Sequence, residues 1–361
     1  MLKSYERGVF EKRLDQLQIL RFIAFLLIFF WHIDFYKFSW MPGINGALLS
    51  VSFFFVLSGF VTGYSGCDKN VKITFKSIAK YMWKKIVKLY PLYFFVMVVF
   101  IAKSSIPIEF SFKNNIALKE SLKTLFKCLF MVQSWSVDEY YAFNGVGWFL
   151  SNMMFFYLLN IPLLWIFNKI NKKPIGQVVF SGLIVVVFVS LIFYCYMTRN
   201  SDIVRFQYIY PIARLFEYLI GILFGFIICN INKKYYSLEK FKVYFTIIES
   251  IALFVWLCSV CMPVKYLWAE RSLQWVVPNI LVIIVFAIGK GYISELFKVK
   301  ILRYFGDISF ECYILHVLVI NFISAFLRLS PLMFRARLFF VCFSLFVTVY
   351  LASLVSKKQM K

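Results

Sequence analysis

The 361-residue chain is poor in acidic residues and in histidine: 17 Asp and Glu stand against 40 Lys and Arg, and there are two histidines. This imbalance leaves a formal net charge of +23. Such a charge is typical of some nucleic-acid binders, but the basic residues fall between apolar runs, with no polar domain to display them. The sequence therefore predicts no nucleic-acid partner, and it indicates attraction to anionic lipid.

The sequence also lacks a disulfide framework, a metal-ligand cluster and any internal repeat. Its eight cysteines are scattered through apolar runs, without the regular spacing of an extracellular scaffold. The one CxxC, from Cys258 to Cys261, ends an apolar run and is better explained as small packing residues than as a redox or zinc site. No Gly/Ser linker divides the chain. We expect one integral membrane domain over residues 1–361, with no metal and no bound cofactor.

What the chain has in excess is apolar surface: 62% of its residues are hydrophobic and its mean hydropathy is +0.78. A soluble domain is closer to half apolar, so the composition predicts an all-α, polytopic membrane protein of about ten transmembrane helices. The predicted spans are residues 17–36, 46–64, 90–102, 146–167, 175–197, 208–229, 243–262, 273–288, 301–327 and 334–355.

Basic turns follow every even-numbered predicted span, which places those turns and both termini in the cytoplasm. The pattern is that of a multi-pass protein of the bacterial plasma membrane. In residues 118–129, leucines alternate with lysines, which predicts an amphipathic helix at the outer surface of the membrane.

Both histidines, His32 and His316, fall inside apolar spans. An ionisable group in hydrocarbon is costly, so it usually faces the interior of the helix bundle and marks a site. Arg21 precedes His32 on the same helix, roughly 16 Å away along the axis. A neutral imidazole can take a proton from a hydroxyl. We therefore predict a functional role for His32, as a group that accepts a proton.

Two further groups of polar residues lie within the spans. Arg214 and Glu217 are three residues apart, so they can pair on one helix face; a structural and a functional ion pair are equally compatible with the sequence. Ser309, Tyr313 and His316 also share one face, and for His316 a supporting, hydrogen-bonded role is preferred to a catalytic one.

Near the cytoplasmic boundary, Lys84, Lys85 and Lys88 precede Tyr90 and Pro91. Proline is tolerated in the first turn of a helix, so a helix is predicted to begin there. Cations beside a helix N-terminus favour phosphate. We expect these lysines to bind a phosphate-rich cytoplasmic donor, although lipid anchoring explains most other lysines of the chain.

Five segments, in order along nearly the whole chain, resemble motifs of the acyltransferase family 3 membrane proteins. They are LDQLQILRFIAFLLIFFWH ending at His32, FFFVLSGFVTGY at 53–64, KKIVKLYPLYF at 84–94, ARLFEYLIGILFG at 213–225 and FGDISFECYILH at 305–316. The resemblance implies an O-acyltransferase that moves an acyl group, usually acetyl, from cytoplasmic acyl-CoA to a hydroxyl of a cell-envelope or exported polysaccharide, or of a lipid-linked oligosaccharide. By position, His32 and Arg21 would be its catalytic motif.

The resemblance also gives roles to the other candidates. Lys84, Lys85 and Lys88 would serve the donor, and Arg214, Glu217, Ser309, Tyr313 and His316 would position His32 or the glycan. The alternative from another class is a transporter or flippase of a lipid-linked glycan or an anion. It is disfavoured because the sequence shows neither inverted repeats nor interrupted midplane helices.

Overall fold

The computed structural model describes residues 14–35, 45–67, 69–103, 115–136, 139–171, 181–182, 186, 208–234, 241–262, 273–328 and 335–359. Within these ranges the regular structure is helical, without a strand. The helices are α1 (Gln16–Phe35), α2 (Gly46–Gly66), α3 (Phe75–Lys103), α4 (Asn115–Leu129), α5 (Gly147–Asn171), α6 (Pro211–Lys234), α7 (Lys242–Ser259), α8 (Val276–Ile288), α9 (Tyr292–Phe297), α10 (Lys300–Asp307), α11 (Ser309–Arg328) and α12 (Arg335–Gln359). Short 3-10 turns cover Gln133–Trp135 and Leu273–Trp275.

Seven of the described helices are long and apolar enough to cross a membrane, namely α1, α2, α3, α5, α6, α7 and α12, and the bent pair α10–α11 makes up to eight. The prediction of a polytopic all-α membrane protein is therefore confirmed. The count of ten and the cytoplasmic termini stay predictions. Most of the fifth predicted span, 175–197, lies outside the described residues. The eighth corresponds to α8, whose 13 residues give a length of about 20 Å, less than a hydrocarbon core.

Helix α2 lies at the centre of the bundle, with 72% of its apolar segment buried. Helix α7 lies at the periphery, with 17% of its apolar segment buried. The partner of α2, helix α6, approaches so closely that a Cβ on Gly63 would lie 2.2 Å from the Ile222 carbonyl oxygen. A Cβ on Gly221 would likewise lie 2.1 Å from the Val56 carbonyl oxygen. Small residues four apart let two helices pack backbone against backbone, so glycines set the α2–α6 spacing.

A buried asparagine joins three helices beside this pair. Asn279 of α8 accepts a hydrogen bond from Trp256 Nε1 of α7 at 2.7 Å and donates one to the Leu49 carbonyl of α2 at 3.1 Å. The nearby Cys258 and Cys261 are exposed free thiols, so the interpretation of this CxxC as packing residues is wrong.

Helix α3 begins fifteen residues earlier than predicted: it starts at Phe75, and Pro91 lies inside it. The predicted helix start at Tyr90 and Pro91 is therefore wrong. Proline lacks an amide hydrogen, so one helical hydrogen bond is missing at Pro91, but the basic turns before it continue the helix. Because their amides bond within α3, no free helix N-terminus stands beside Lys84, Lys85 and Lys88 to bind phosphate.

The C-terminus of α4 is closed by a Schellman motif. The Val132 amide donates to the Lys127 carbonyl at 2.8 Å, and the Met131 amide donates to the Cys128 carbonyl at 3.1 Å. Met131 adopts φ of +53°, the left-handed conformation that this motif requires. A non-glycine residue there costs about 1–2 kcal/mol, which the surrounding contacts must offset.

Two tyrosines of α3 supply part of that compensation. Tyr90 donates to the Leu129 carbonyl at 3.1 Å, and Tyr93 donates to the Cys128 carbonyl at 2.9 Å. Tyr90 lies about 20 Å along the α3 axis from Lys103. The C-terminus of α4 thus packs beside the middle of α3, well below its end, so the following chain starts deep in the bundle.

The predicted span 301–327 is two helices, α10 and α11, that meet at an angle of 57°. The Cα of Gly306 lies so close to α1 that a Cβ there would be 2.1 Å from the Gln18 carbonyl oxygen. Arg303 forms an ion pair with Asp15 at 2.8 Å. The expectation of uninterrupted helices is therefore wrong here, but the break lies beside the start of α1 rather than at midplane.

Candidate active site

The two histidines of the chain meet inside the bundle. His32 comes from the last turns of α1 and His316 from the middle of α11, and their ring centroids are 4.8 Å apart with the planes inclined by 63°. His316 is fully buried, whereas His32 is partly exposed at the edge of the pair. The sequence placed both histidines inside apolar spans, and the structure brings them into contact.

A backbone hydrogen bond fixes the His316 ring. Its Nδ1 lies 2.6 Å from the Tyr313 carbonyl oxygen. A carbonyl can only accept, so Nδ1 carries the hydrogen and the neutral ring has its lone pair on Nε2. That Nε2 is buried and has no hydrogen-bond partner among the described residues.

Aromatic rings enclose the histidine pair. Phe25 lies 5.9 Å from His316 in an edge-on arrangement, and Trp31 lies 4.9 Å from His32. The Tyr313 ring is 5.7 Å from His316, and its hydroxyl donates to the Val146 carbonyl at 3.2 Å. These contacts enclose the His316 imidazole in an apolar cage, in which a basic nitrogen is poorly solvated, and leave one edge of His32 exposed.

Below the histidines, four charged residues of α1, α3 and α11 form a second cluster. Arg21 donates to Gln18 Oε1 at 3.1 Å, and its charge reaches Lys85. The charges of Arg21 and Lys88 also act on Glu311. The cluster thus holds three basic side chains and one acidic side chain, so basic groups are in excess at this end of the bundle.

The lysines separate on the surface of α3. Lys85 is half-buried, with its ammonium 4.6 Å from the Tyr157 ring centroid and 5.3 Å from that of Tyr81. Lys84 and Lys88 are both exposed, but only Lys88 adds its charge to Lys85 and Glu311. The structure thus joins Lys85 and Lys88 to Arg21, whereas nothing it describes joins Lys84 to them.

Arg214 and Glu217 of α6 form the predicted ion pair, with 3.0 Å between Nη2 and Oε2 and side chains 0% and 1% exposed. The guanidinium also lies over the rings of Phe55, at 4.9 Å, and Tyr208, at 5.1 Å. The Phe55 ring also packs against the Phe149 ring, with centroids 4.7 Å apart. Since Phe149 in turn lies 5.3 Å from Tyr313, packed aromatic rings connect this ion pair to the histidines.

Ser309 lies at the α10–α11 bend, where its hydroxyl donates to the Gly306 carbonyl at 2.7 Å. It is about 10 Å along the α11 axis from His316. Its hydroxyl is therefore engaged in shaping the bend, at some distance from the imidazoles that it was predicted to position.

The connection between α4 and α5 supplies polar groups that the sequence analysis did not single out. Ser134 and Ser151 share a hydrogen bond of 2.6 Å, and Gln133 donates to the Tyr93 hydroxyl at 3.2 Å. Gln133 Oε1 and Asn144 Nδ2 are buried without partners among the described residues. Irregular backbone at bundle depth persists only where protein or a water-filled cavity surrounds it, so this segment is suited to line a polar recess.

An ion pair ties this connection to α4. Lys127 pairs with Glu139 and donates to Ser136 at 3.1 Å. Burial alone would raise the pKa of the Glu139 carboxyl, but hydrogen bonds from Lys127 and Ser136 and the charges of Lys127 and Lys123 hold it below its usual value. Glu139 is therefore ionised at neutral pH.

Glu311 of α11 is a further candidate site residue that was not predicted from the sequence. It is 3% exposed, and its Oε2 has no hydrogen-bond partner in the described part of the chain. The signal was present, because an acid in an apolar helix five residues before His316 is itself a functional-site candidate. The local sequence around Glu311 could not show that Arg21 of α1 and Lys88 of α3 act on its carboxyl group, because that depends on how the helices pack.

Comparison with known proteins assigns the chain to a protein family. A family model described as an acyltransferase domain matches residues 14–357. The chain belongs to acyltransferase family 3. Searches of curated proteins and of solved structures return no match. Membership makes the protein a membrane acyltransferase in general, and the residues matched include both histidines and the basic cluster.

Proposed function

We propose that this protein transfers an acyl group, most readily acetyl, from acyl-CoA to a hydroxyl of a cell-envelope or exported polysaccharide, in the plasma membrane of a bacterium. The observation that carries the proposal is the contact of two imidazoles inside an acyltransferase-family bundle. The reaction needs a base of this kind, because a hydroxyl must lose its proton as it attacks the thioester.

The cluster of Arg21, Lys85 and Lys88 is suited to the donor. Coenzyme A carries several phosphates, and positive charge near them favours binding. Glu311 offsets only part of that charge. Arg21 lies roughly 16 Å before His32 along α1. With its phosphates bound at this cluster, coenzyme A can extend its pantetheine arm over that distance and bring the thioester to the histidines.

The connection between α4 and α5 is suited to the acceptor. It begins beside the middle of α3, and its Val146 carbonyl receives the hydroxyl of Tyr313, three residues before His316. Amide and hydroxyl groups such as Gln133 and Ser134 match the hydroxyl groups of a sugar. A glycan bound there would lie near Tyr313, whose ring is 5.7 Å from that of His316.

The test is acyl transfer by purified protein in detergent, with radiolabelled acetyl-CoA and de-O-acetylated polysaccharide from the producing cells. Wild type is expected to label the polysaccharide. The variant H32A is expected to lose transfer by about 10²–10⁴-fold, because no base or acyl carrier remains at the edge of the pair. Transfer by H32A within about threefold of wild type would refute the role of His32.

The same assay separates an enzyme from a transporter or flippase of a lipid-linked glycan. An acyltransferase releases coenzyme A thiol as acceptor is consumed, whereas a flippase leaves the thioester intact. Loss of one acetyl-CoA for each acetyl gained by the polysaccharide is the expected result.

A further inference from the structure

We propose that His316, predicted to support His32, is itself the base that takes the proton from the acceptor hydroxyl. The inference rests on the proposed acyl transfer and adds a second catalytic residue to it. It follows from the orientation of one ring nitrogen in the bundle.

The backbone determines which nitrogen is available. The Tyr313 carbonyl oxygen holds the hydrogen on Nδ1 at 2.6 Å, as a second group commonly does for a catalytic or metal-binding histidine. Nε2 is therefore the basic atom, and it is buried with no hydrogen-bond partner among the described residues. A buried acceptor without a partner is destabilising, and an incoming hydroxyl would supply the missing hydrogen bond.

The position of that atom fits a shared reaction site. The ring lies 4.8 Å from His32, and the faces around it are apolar, with Phe25 at 5.9 Å. His32 itself is partly exposed. The two rings thus differ in their surroundings: His32 keeps an exposed edge, and His316 beside it holds a buried lone pair on Nε2.

The step balances without a further reagent. The acceptor oxygen forms a bond with the acyl carbon while its proton moves to His316 Nε2. The bond between the acyl carbon and sulfur then breaks with its electron pair on sulfur, and the proton on Nε2 passes to that sulfur to give free coenzyme A. If His32 first carries the acyl group, a His32 ring nitrogen bonds the acyl carbon, the carbon–sulfur bond breaks, and the His32 ring proton leaves with the sulfur as free coenzyme A. The acceptor oxygen then bonds the acyl carbon as its proton moves to His316 Nε2, the bond between the acyl carbon and the His32 nitrogen breaks, and that proton passes to His32.

Two substitutions of His316 each retain an amide near one of the two ring nitrogens. In H316N the amide can still donate to the Tyr313 carbonyl, and in H316Q an amide reaches the position of Nε2, but neither takes a proton. Both variants are expected to bind acetyl-CoA as wild type does and to lose transfer by about 10²–10⁴-fold in kcat. Binding is measured by titration calorimetry, and transfer by label in de-O-acetylated polysaccharide.

The matched control is T348V on α12, which packs against α11. Thr348 is buried and donates to the Ser344 carbonyl at 2.7 Å, so T348V also removes a buried polar group, away from the imidazoles. Its transfer rate is expected to stay within about twofold of wild type.

The outcomes separate the two proposals. Transfer by H316Q within about threefold of wild type would overturn the role of His316 and leave the acyltransferase proposal standing. Loss of acetyl-CoA binding or of the thermal transition in both H316N and H316Q would assign His316 to packing and also overturn it. Wild type that transfers no label would overturn the proposed function first.

Discussion

At the scale of single residues, the Arg214–Glu217 pair shows how expensive an intramembrane charge is without its partner. Both side chains are essentially unexposed, and Arg214 Nε and Nη1 find no acceptor among the described residues. Removing one member of such a pair leaves an uncompensated charge, whereas removing both leaves an apolar site.

We therefore expect R214M to destabilise the protein by about 3–5 kcal/mol. The double variant R214M/E217L is expected to recover much of this loss, because no buried carboxylate remains. Thermal unfolding in detergent measures both. A double variant no more stable than R214M would show that the two charges do not compensate each other.

The sequence could predict the residues of the site better than their arrangement. His32 and His316 are rare ionisable residues in apolar helices, so their pattern alone selected them. Their contact depends on α1 and α11 packing together, which no local pattern encodes. Lys84 and Lys85 are adjacent, and adjacent residues on a helix do not face each other, so the spacing alone does not bring Lys84 to the groups around Lys85.

At the scale of elements, the spacing of α2 and α6 depends on glycine. A Cβ on Gly59 would lie 2.0 Å from the Tyr218 carbonyl oxygen, and one on Gly63 2.2 Å from that of Ile222. Backbone cannot yield as a flexible side chain can, so any larger residue must push the helices apart. Because α6 carries Arg214 and Glu217, such a shift would reach the ion pair as well.

We expect G63L to lower the free energy of unfolding by about 1–3 kcal/mol or more through overpacking, measured by thermal unfolding in detergent. G145A is the control, since a Cβ on Gly145 meets nothing within 4 Å, and its unfolding midpoint is expected to be unchanged. Equal midpoints for G63L and wild type would contradict the close packing of α2 and α6.

The Lys127–Glu139 ion pair, which joins α4 to the connection that follows it, makes the stability of this region depend on pH. Because Lys127 and Ser136 hold the pKa of Glu139 below its ordinary value of 4.5, the folded state binds this proton less readily than the unfolded chain. The stabilisation is therefore present above that ordinary value, and it is lost as the pH falls through the lower, folded value.

Hydrogen-exchange protection of residues 127–136 is expected to fall as the pH is lowered below about 4.5. In E139Q the same segment is expected to be less protected at neutral pH and to lose this pH dependence. Protection that varies with pH identically in wild type and E139Q would assign the effect to another group.

At the scale of the whole molecule, hydropathy could predict a bundle of membrane helices, because apolar length is a local property. Local patterns did not give the bend at Ser309 or the early start of α3. The bend depends on Gly306 approaching α1, and α3 continues through Pro91 with one hydrogen bond fewer, beside tyrosines that bind the end of α4. Both are tertiary effects.

The whole bundle places a basic cluster before the histidines along α1 and a polar connection beside them. The function proposed above requires that one imidazole site serve a donor from the cytoplasm and an acceptor from the outside. The claim concerns the path through the molecule, so sealed membranes test it better than detergent.

The most direct measurement uses sealed right-side-out membrane vesicles, with radiolabelled acetyl-CoA trapped inside and de-O-acetylated polysaccharide outside. The account predicts that wild-type vesicles label the external polysaccharide only when the donor is inside, and that H32A vesicles do not. Equal labelling with the donor supplied only outside, or labelling by H32A, would contradict it.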